Sequence, residues 1–165
     1  MDWRWQTWFF IQMNLLEHTV PPPLAALACA GLGWLASAYG PAWPLPESLR
    51  LALAGLCLLA GLLLDGWSLW NFRRQRTTVN PLAPGRASAV VQSGPYRFTR
   101  NPMYLGMALL LLALCLWRGQ PLGLLGLALF VAYITRFQIL PEERALLAKF
   151  GAPYAEYLRR VRRWL

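Results

Sequence analysis

Four long apolar runs, at 24–39, 49–72, 103–117 and 122–139, constrain this chain more than any other feature. Runs of that length are near what a helix needs to cross a hydrocarbon core, and few charges interrupt them. Lipid offers the backbone no hydrogen-bonding partner, so a segment inside it must satisfy its own N–H and C=O groups, which favours helix over open sheet. The expected fold is all-α: a polytopic membrane helical bundle of about four transmembrane helices, with an interfacial N-terminal segment and amphipathic C-terminal helices. Composition agrees, since 57% of the 165 residues are hydrophobic and mean hydropathy is +0.36. A single membrane domain follows, 1–165: an interfacial segment 1–20, two spans within 24–72, a loop 73–102, a hairpin 103–139 and a helical tail 141–165.

Charge sets the topology. All but one of the 16 basic residues are arginine, and net charge is +9. Arg73, Arg74, Arg76, Arg86, Arg97 and Arg100 crowd the 73–101 connector, and Arg144, Lys149, Arg159, Arg160, Arg162 and Arg163 fill the tail. The other side holds only Arg50 and Arg118. By the positive-inside rule, both termini and the connector face the cytoplasm, here of a bacterial inner membrane. The same rule, with anionic lipid headgroups, explains the basic pI without nucleic acid. Trp3, Trp5, Trp8, Phe9 and Phe10 suit the headgroup layer. No short apolar core followed by small residues marks a cleaved leader.

Cys29, Cys57 and Cys115 lie singly in apolar runs and read as core residues. His18 is the one histidine, so no His-based metal site or Ser-His-Asp triad is expected, and no metal. Gly31 and Gly33 read as small residues for close helix packing rather than a phosphate loop. Asp65 and Arg136 fall at similar depth inside spans, where they would either pair or share a polar cavity, or snorkel separately to the interface. The third run is short: its 15 residues rise only about 22 Å against a ~30 Å core, so its cytoplasmic end should sink into protein.

That end carries the densest polar stretch, Gly94-Pro-Tyr-Arg-Phe-Thr-Arg-Asn-Pro-Met-Tyr-Leu-Gly106. A second block, Glu142-Glu143, Leu146, Phe150-Gly151, Tyr154, Tyr157 and Val161, opens behind Pro141. Its last part places Tyr154, Tyr157, Leu158, Val161 and Leu165 on one stripe of an amphipathic basic helix, suited to lie on the membrane surface or close over a pocket. Together the blocks resemble the Gly-x-Tyr…Arg-His-Pro-x-Tyr-x-Gly and Glu-Glu-x-x-Leu…Phe-Gly-x-x-Tyr-x-x-Tyr-x-x-x-Val motifs of the isoprenylcysteine carboxyl methyltransferases and phospholipid methyltransferases. The likeness covers roughly 75–165, and the family's histidine is Asn101 here.

The resemblance implies an integral-membrane methyltransferase using S-adenosylmethionine on a lipophilic small molecule: an isoprenylcysteine-like carboxylate, a thiol or a phospholipid amine. It places Val90, Val91, Gly94, Tyr96, Asn101, Pro102, Met103, Tyr104, Glu142 and Glu143 against the cofactor, with Arg136 and Asn101 nearest the chemistry. Such a cofactor wants a carboxylate for its ammonium, donors for its carboxylate and an aromatic wall near its sulfonium. Glu142 or Glu143 would supply the first, Asn101 and Tyr104 the second. Two other functions stay open: an NADPH-dependent lipid or sterol reductase, and a non-catalytic membrane scaffold. Membrane lipids are the expected partners; oligomeric state is not legible.

Overall fold

A computed structural model describes residues 17, 19–74 and 90–165, and the fold is the expected all-α bundle. The helices are α1 (Pro22–Ser37), α2 (Glu47–Arg74), α3 (Pro102–Arg118), α4 (Leu124–Ile134), α5 (Leu140–Phe150) and α6 (Ala152–Arg160). Among the described residues the one bridge of strand type joins Thr99 to Arg162. The interfacial segment at 1–20 and the arginines Arg76 and Arg86 fall almost wholly outside the described residues.

The two longest helices are α2 and the run Pro121–Phe150, each long and apolar enough to cross a membrane. The shorter apolar helices, α1 and α3, have 16 and 17 residues. They rise only about 24–26 Å. Pro21–Pro22 opens α1, since proline is harmless where the first N–H groups have no helical partner. Gly119, at φ +74°, ends α3 in a left-handed cap. Arg50 reaches from α2 to donate to the carbonyls of Leu116 and Trp117, two acceptors that the end of α3 leaves unpaired.

One boundary differs from expectation. The fourth helix does not stop at 139 with a new one opening at Pro141; α4 runs into α5 through a π-helical turn, Thr135–Ile139. Proline inside an α-helix removes one N–H and collides with the carbonyl four residues back. Widening the ladder just before Pro141 accommodates it, and the Leu140 N–H bonds the Thr135 carbonyl instead. The turn also holds Gln138, fully buried, which donates to the Val20 carbonyl at 2.8 Å and so ties the entrance of α1 to this bend.

Packing follows small residues. α3 packs most extensively on α2, and α1 on α4. Their seams are glycines: a Cβ on Gly61 would lie 2.9 Å from the Gly106 carbonyl, and one on Gly126 would overlap the Cys29 carbonyl and the Gly33 backbone. Gly33 therefore packs as expected, whereas Gly31 faces open space. Cys29, Tyr104, Leu111, Phe130, Ile134 and Ile139 form the core, with Phe130, Ile134 and Ile139 fully buried. The outer faces of α1 and α2 are leucine and tryptophan, for example Leu27 at 68% and Leu63 at 63% exposure, a surface suited to lipid rather than water.

Gly126→Ala must push α1 and α4 apart, because the new methyl meets backbone rather than a flexible side-chain end. Overpacking of this kind costs about 1–3 kcal/mol. Thermal unfolding in detergent should show a clear fall in Tm for Gly126→Ala and none for Gly31→Ala.

Candidate active site

The polar stretch and the tail meet at one end of the bundle. Gly94–Arg97 forms a single 3-10 turn, entered at Gly94 with φ +60°, where a side chain would collide with that of Asn71 on α2. Asn71 is buried and accepts from Ser93 at 3.0 Å, so the loop is pinned to α2 before the motif begins. Tyr96 then turns inward, 6% exposed, its ring edge-on to Phe72. Burial pushes its hydroxyl well above the usual tyrosine range, and the Tyr157, Glu142 and Asp65 charges add to this while Ser68 acts against it. Several elements therefore converge on one phenol.

Pro102 starts α3 and is fully buried, followed by half-buried Met103 and buried Tyr104. The Tyr104 hydroxyl donates to Glu142 Oε1 at 2.7 Å, which closes α3 onto the first turn of α5. Glu143, the next residue, faces another way. Arg100 Nη2 lies 2.9 Å from its Oε1, while Arg163 grips it with Nε at 3.1 Å and Nη2 at 2.7 Å. That two-pronged bond raises Arg163 above its ordinary value. The paired carboxylates are thus divided: Glu142 meets a tyrosine, Glu143 two arginines.

The tail departs from a plain amphipathic helix. α6 stops at Arg160, Val161 is extended, and the last residues cross the motif as a strap. The Arg100 N–H bonds the Arg162 carbonyl at 2.9 Å, Asn101 Nδ2 donates to the Arg163 carbonyl at 2.9 Å, and Thr99 Oγ1 to the same carbonyl at 3.2 Å. Arg100 Nη1 also donates to the Leu158 carbonyl at 2.8 Å, and Trp164 Nε1 to Thr135 at 3.2 Å. Of the expected stripe, Tyr154, Tyr157 and Val161 are buried, against Val90, Leu146, Phe150 and Leu158, while Leu165 is 77% exposed. The Tyr157 hydroxyl donates to the Tyr96 carbonyl at 2.8 Å, and Val91 is buried beside this layer. The stripe packs on the loop.

Arg136 does not pair with Asp65. It lies 3.0 Å from Glu17 Oε1, and Arg144 lies 2.7 Å from the other oxygen. The register explains the change: the π turn carries Arg136 toward the chain entering α1, whereas Asp65 sits on α2 against Gly106. Thr99, Arg163, Trp164 and Glu17 thus tie this end of the bundle together, and sequence reasoning did not single them out. Arg163 was one arginine of several in the tail, and only the strap distinguishes it. At the far end of the bundle, a small cavity under Trp34 and Arg118 contains none of the motif residues.

Two comparisons bear on this geometry. A family model described as phospholipid methyltransferase matches residues 49–152. A protein of Haemophilus influenzae named "Uncharacterized protein" is 49% identical over 63 residues, which is 38% of this chain and 100% of that relative. No solved structure matches the chain.

Burial raises the Glu17 carboxyl, but its bonds to Arg144 and Arg136 outweigh this and hold it below its ordinary value. A depressed carboxylate contributes stability above its unfolded value of 4.5, and that contribution fades as pH falls through the lower folded value. The Tm difference between wild type and Glu17→Gln should therefore be level from neutral pH down to the ordinary carboxylate range and shrink toward zero below it. A difference independent of pH would mean that the bridge carries no linkage.

Proposed function

The chain belongs to the phospholipid methyltransferase family, and we propose that it moves a methyl group from S-adenosylmethionine to a lipophilic acceptor at the cytoplasmic end of a membrane bundle. The observation that carries this reading is buried Tyr104 bonded to half-buried Glu142, at the end of the bundle where Tyr96 turns inward and the C-terminal strap crosses the loop.

The residues present fit such a cofactor. Glu142 offers a carboxylate for an ammonium, with Tyr104 orienting it. Arg100 Nε is buried without a hydrogen-bond partner among the described residues, a donor that an amino-acid carboxylate would satisfy. Asn101 and Glu143, expected to touch the cofactor directly, are committed to the strap and to Arg100, so their proposed contribution is to hold its floor and roof together. Tyr96 and the backbone from Val90 to Gly94 would flank the base or ribose, with Pro102 and Met103 closing the site below. When bound, S-adenosylmethionine supplies a methyl group already activated as a sulfonium; the protein's task is orientation and exclusion of water.

The acceptor would come from the bilayer. An open face runs along α4 from Leu124 past Val131 and through the π turn to Leu140, apolar except for Thr135 and Arg136. It suits a hydrocarbon chain, and Arg136 would stand near the headgroup. In this topology four spans leave both termini and the site cytoplasmic, since Arg73, Arg74, Arg97 and Arg100 share an end with the tail arginines.

Calorimetric titration of S-adenosylhomocysteine into detergent-purified protein tests the reading. Micromolar binding is expected, weakened tenfold or more, roughly 1.4 kcal/mol, by Tyr104→Phe and by Glu142→Gln, and unchanged by Gly31→Ala. A folded sample that binds nothing would favour the reductase or the scaffold.

A further inference from the structure

One carboxylate near the site has a buried oxygen that no described residue bonds. Asp65 lies on α2 about 12 Å inside Arg73 by helix rise. It is pressed against Gly106 of α3, where any side chain would overlap its Oδ1. That oxygen is buried with no hydrogen-bond partner among the described residues, and the cation expected to pair with it, Arg136, is held by Glu17. Ser68, one turn further along α2, is fully buried and reaches Tyr96, the phenol on which the Asp65 and Glu142 charges both act. Asp65 therefore belongs to the same polar end of the bundle as Tyr96, Tyr104 and Glu142, approached from the α2 side.

A carboxylate at this depth costs stability unless something answers it, and none of the described residues bonds its buried oxygen. The other candidates for proton transfer are occupied or unsuitable. Glu143 is locked between two arginines, Glu142 accepts from Tyr104, and the buried Tyr96 hydroxyl is shifted away from easy ionisation. Asn101, at the family's histidine position, has no basic atom, and its amide is bonded to the Arg163 carbonyl.

We propose that Asp65 is the proton acceptor of the site when the group methylated is an amine, which arrives as an ammonium. The proposal rests on the methyltransferase reading above. An ammonium cannot act as a nucleophile while its electron pair is held in an N–H bond. Transfer of that proton to Asp65 breaks the N–H bond, leaves the pair on nitrogen and converts carboxylate and ammonium to neutral acid and amine. Mutual neutralisation of two charges is favourable in a low-dielectric site. The nitrogen then forms its bond to the sulfonium methyl group, and the pair of the broken C–S bond remains on sulfur.

The test compares wild type with Asp65→Asn in three measurements: S-adenosylhomocysteine titration, thermal unfolding, and methyl transfer to dodecylamine or dodecanoate in mixed micelles. Expected for Asp65→Asn are binding within about twofold of wild type, a Tm no lower, and kcat on the amine reduced about 100-fold near neutral pH. The amine rate should recover as pH rises and free amine becomes available, a response that a merely structural role would not produce. A wild-type rate on the amine, an unaltered pH profile, or a large fall in Tm would overturn the assignment. Wild type that binds S-adenosylhomocysteine yet methylates only carboxylate or thiol acceptors would overturn the Asp65 role and leave the methyltransferase reading intact. Wild type that does not bind it would remove both.

Discussion

The polar end of this protein depends on one carboxylate held between two arginines. Glu143 on α5 receives Arg100 from the loop before α3 and Arg163 from the strap after α6. Three segments far apart in sequence are thereby fixed at a single point. Both Glu143 and Arg100 have side chains almost closed to solvent, at 13% and 11% exposure. Charges so placed are costly alone and tolerable only as a set, so removal of one partner strands the others. The arrangement makes the order of the loop conditional on the presence of the tail.

The apolar bundle supplies the platform. Its interior is thin, because α1 and α3 are short and their contacts with α4 and α2 run through glycine. Close backbone approach takes the place of a large hydrophobic interior, as expected where the surrounding solvent is itself apolar and burial of leucine gains little. The π turn ahead of Pro141 is the bend in this platform. It aims Arg136 at Glu17, buries Gln138 against the start of α1 and brings Glu142 and Glu143 round to meet α3 and the loop.

Helices, their order and the two polar blocks were legible because hydropathy and turn residues are local signals. Gly119 and Gly151, for example, end helices where the pattern breaks. Pairings were not. Asp65 and Arg136 share a depth, but depth says nothing of azimuth, and a π turn alters azimuth beyond any fixed period. Leu165 continued the helical stripe on paper, yet Val161 leaves the helix, since the strap's backbone bonds to Thr99, Arg100 and Asn101 offer an alternative to another helical turn. Glu142 and Glu143 looked interchangeable until the first met Tyr104 and the second its arginines.

If loop and strap enclose one cofactor site, occupancy should be felt by both at once. Hydrogen–deuterium exchange in detergent, with and without saturating S-adenosylhomocysteine, measures this directly. Slowed exchange in 94–106 and in 154–165 together, with 22–37 unchanged, is the predicted result. Protection confined to one of the two segments, or found instead at the Arg118 end of the bundle, would contradict the account.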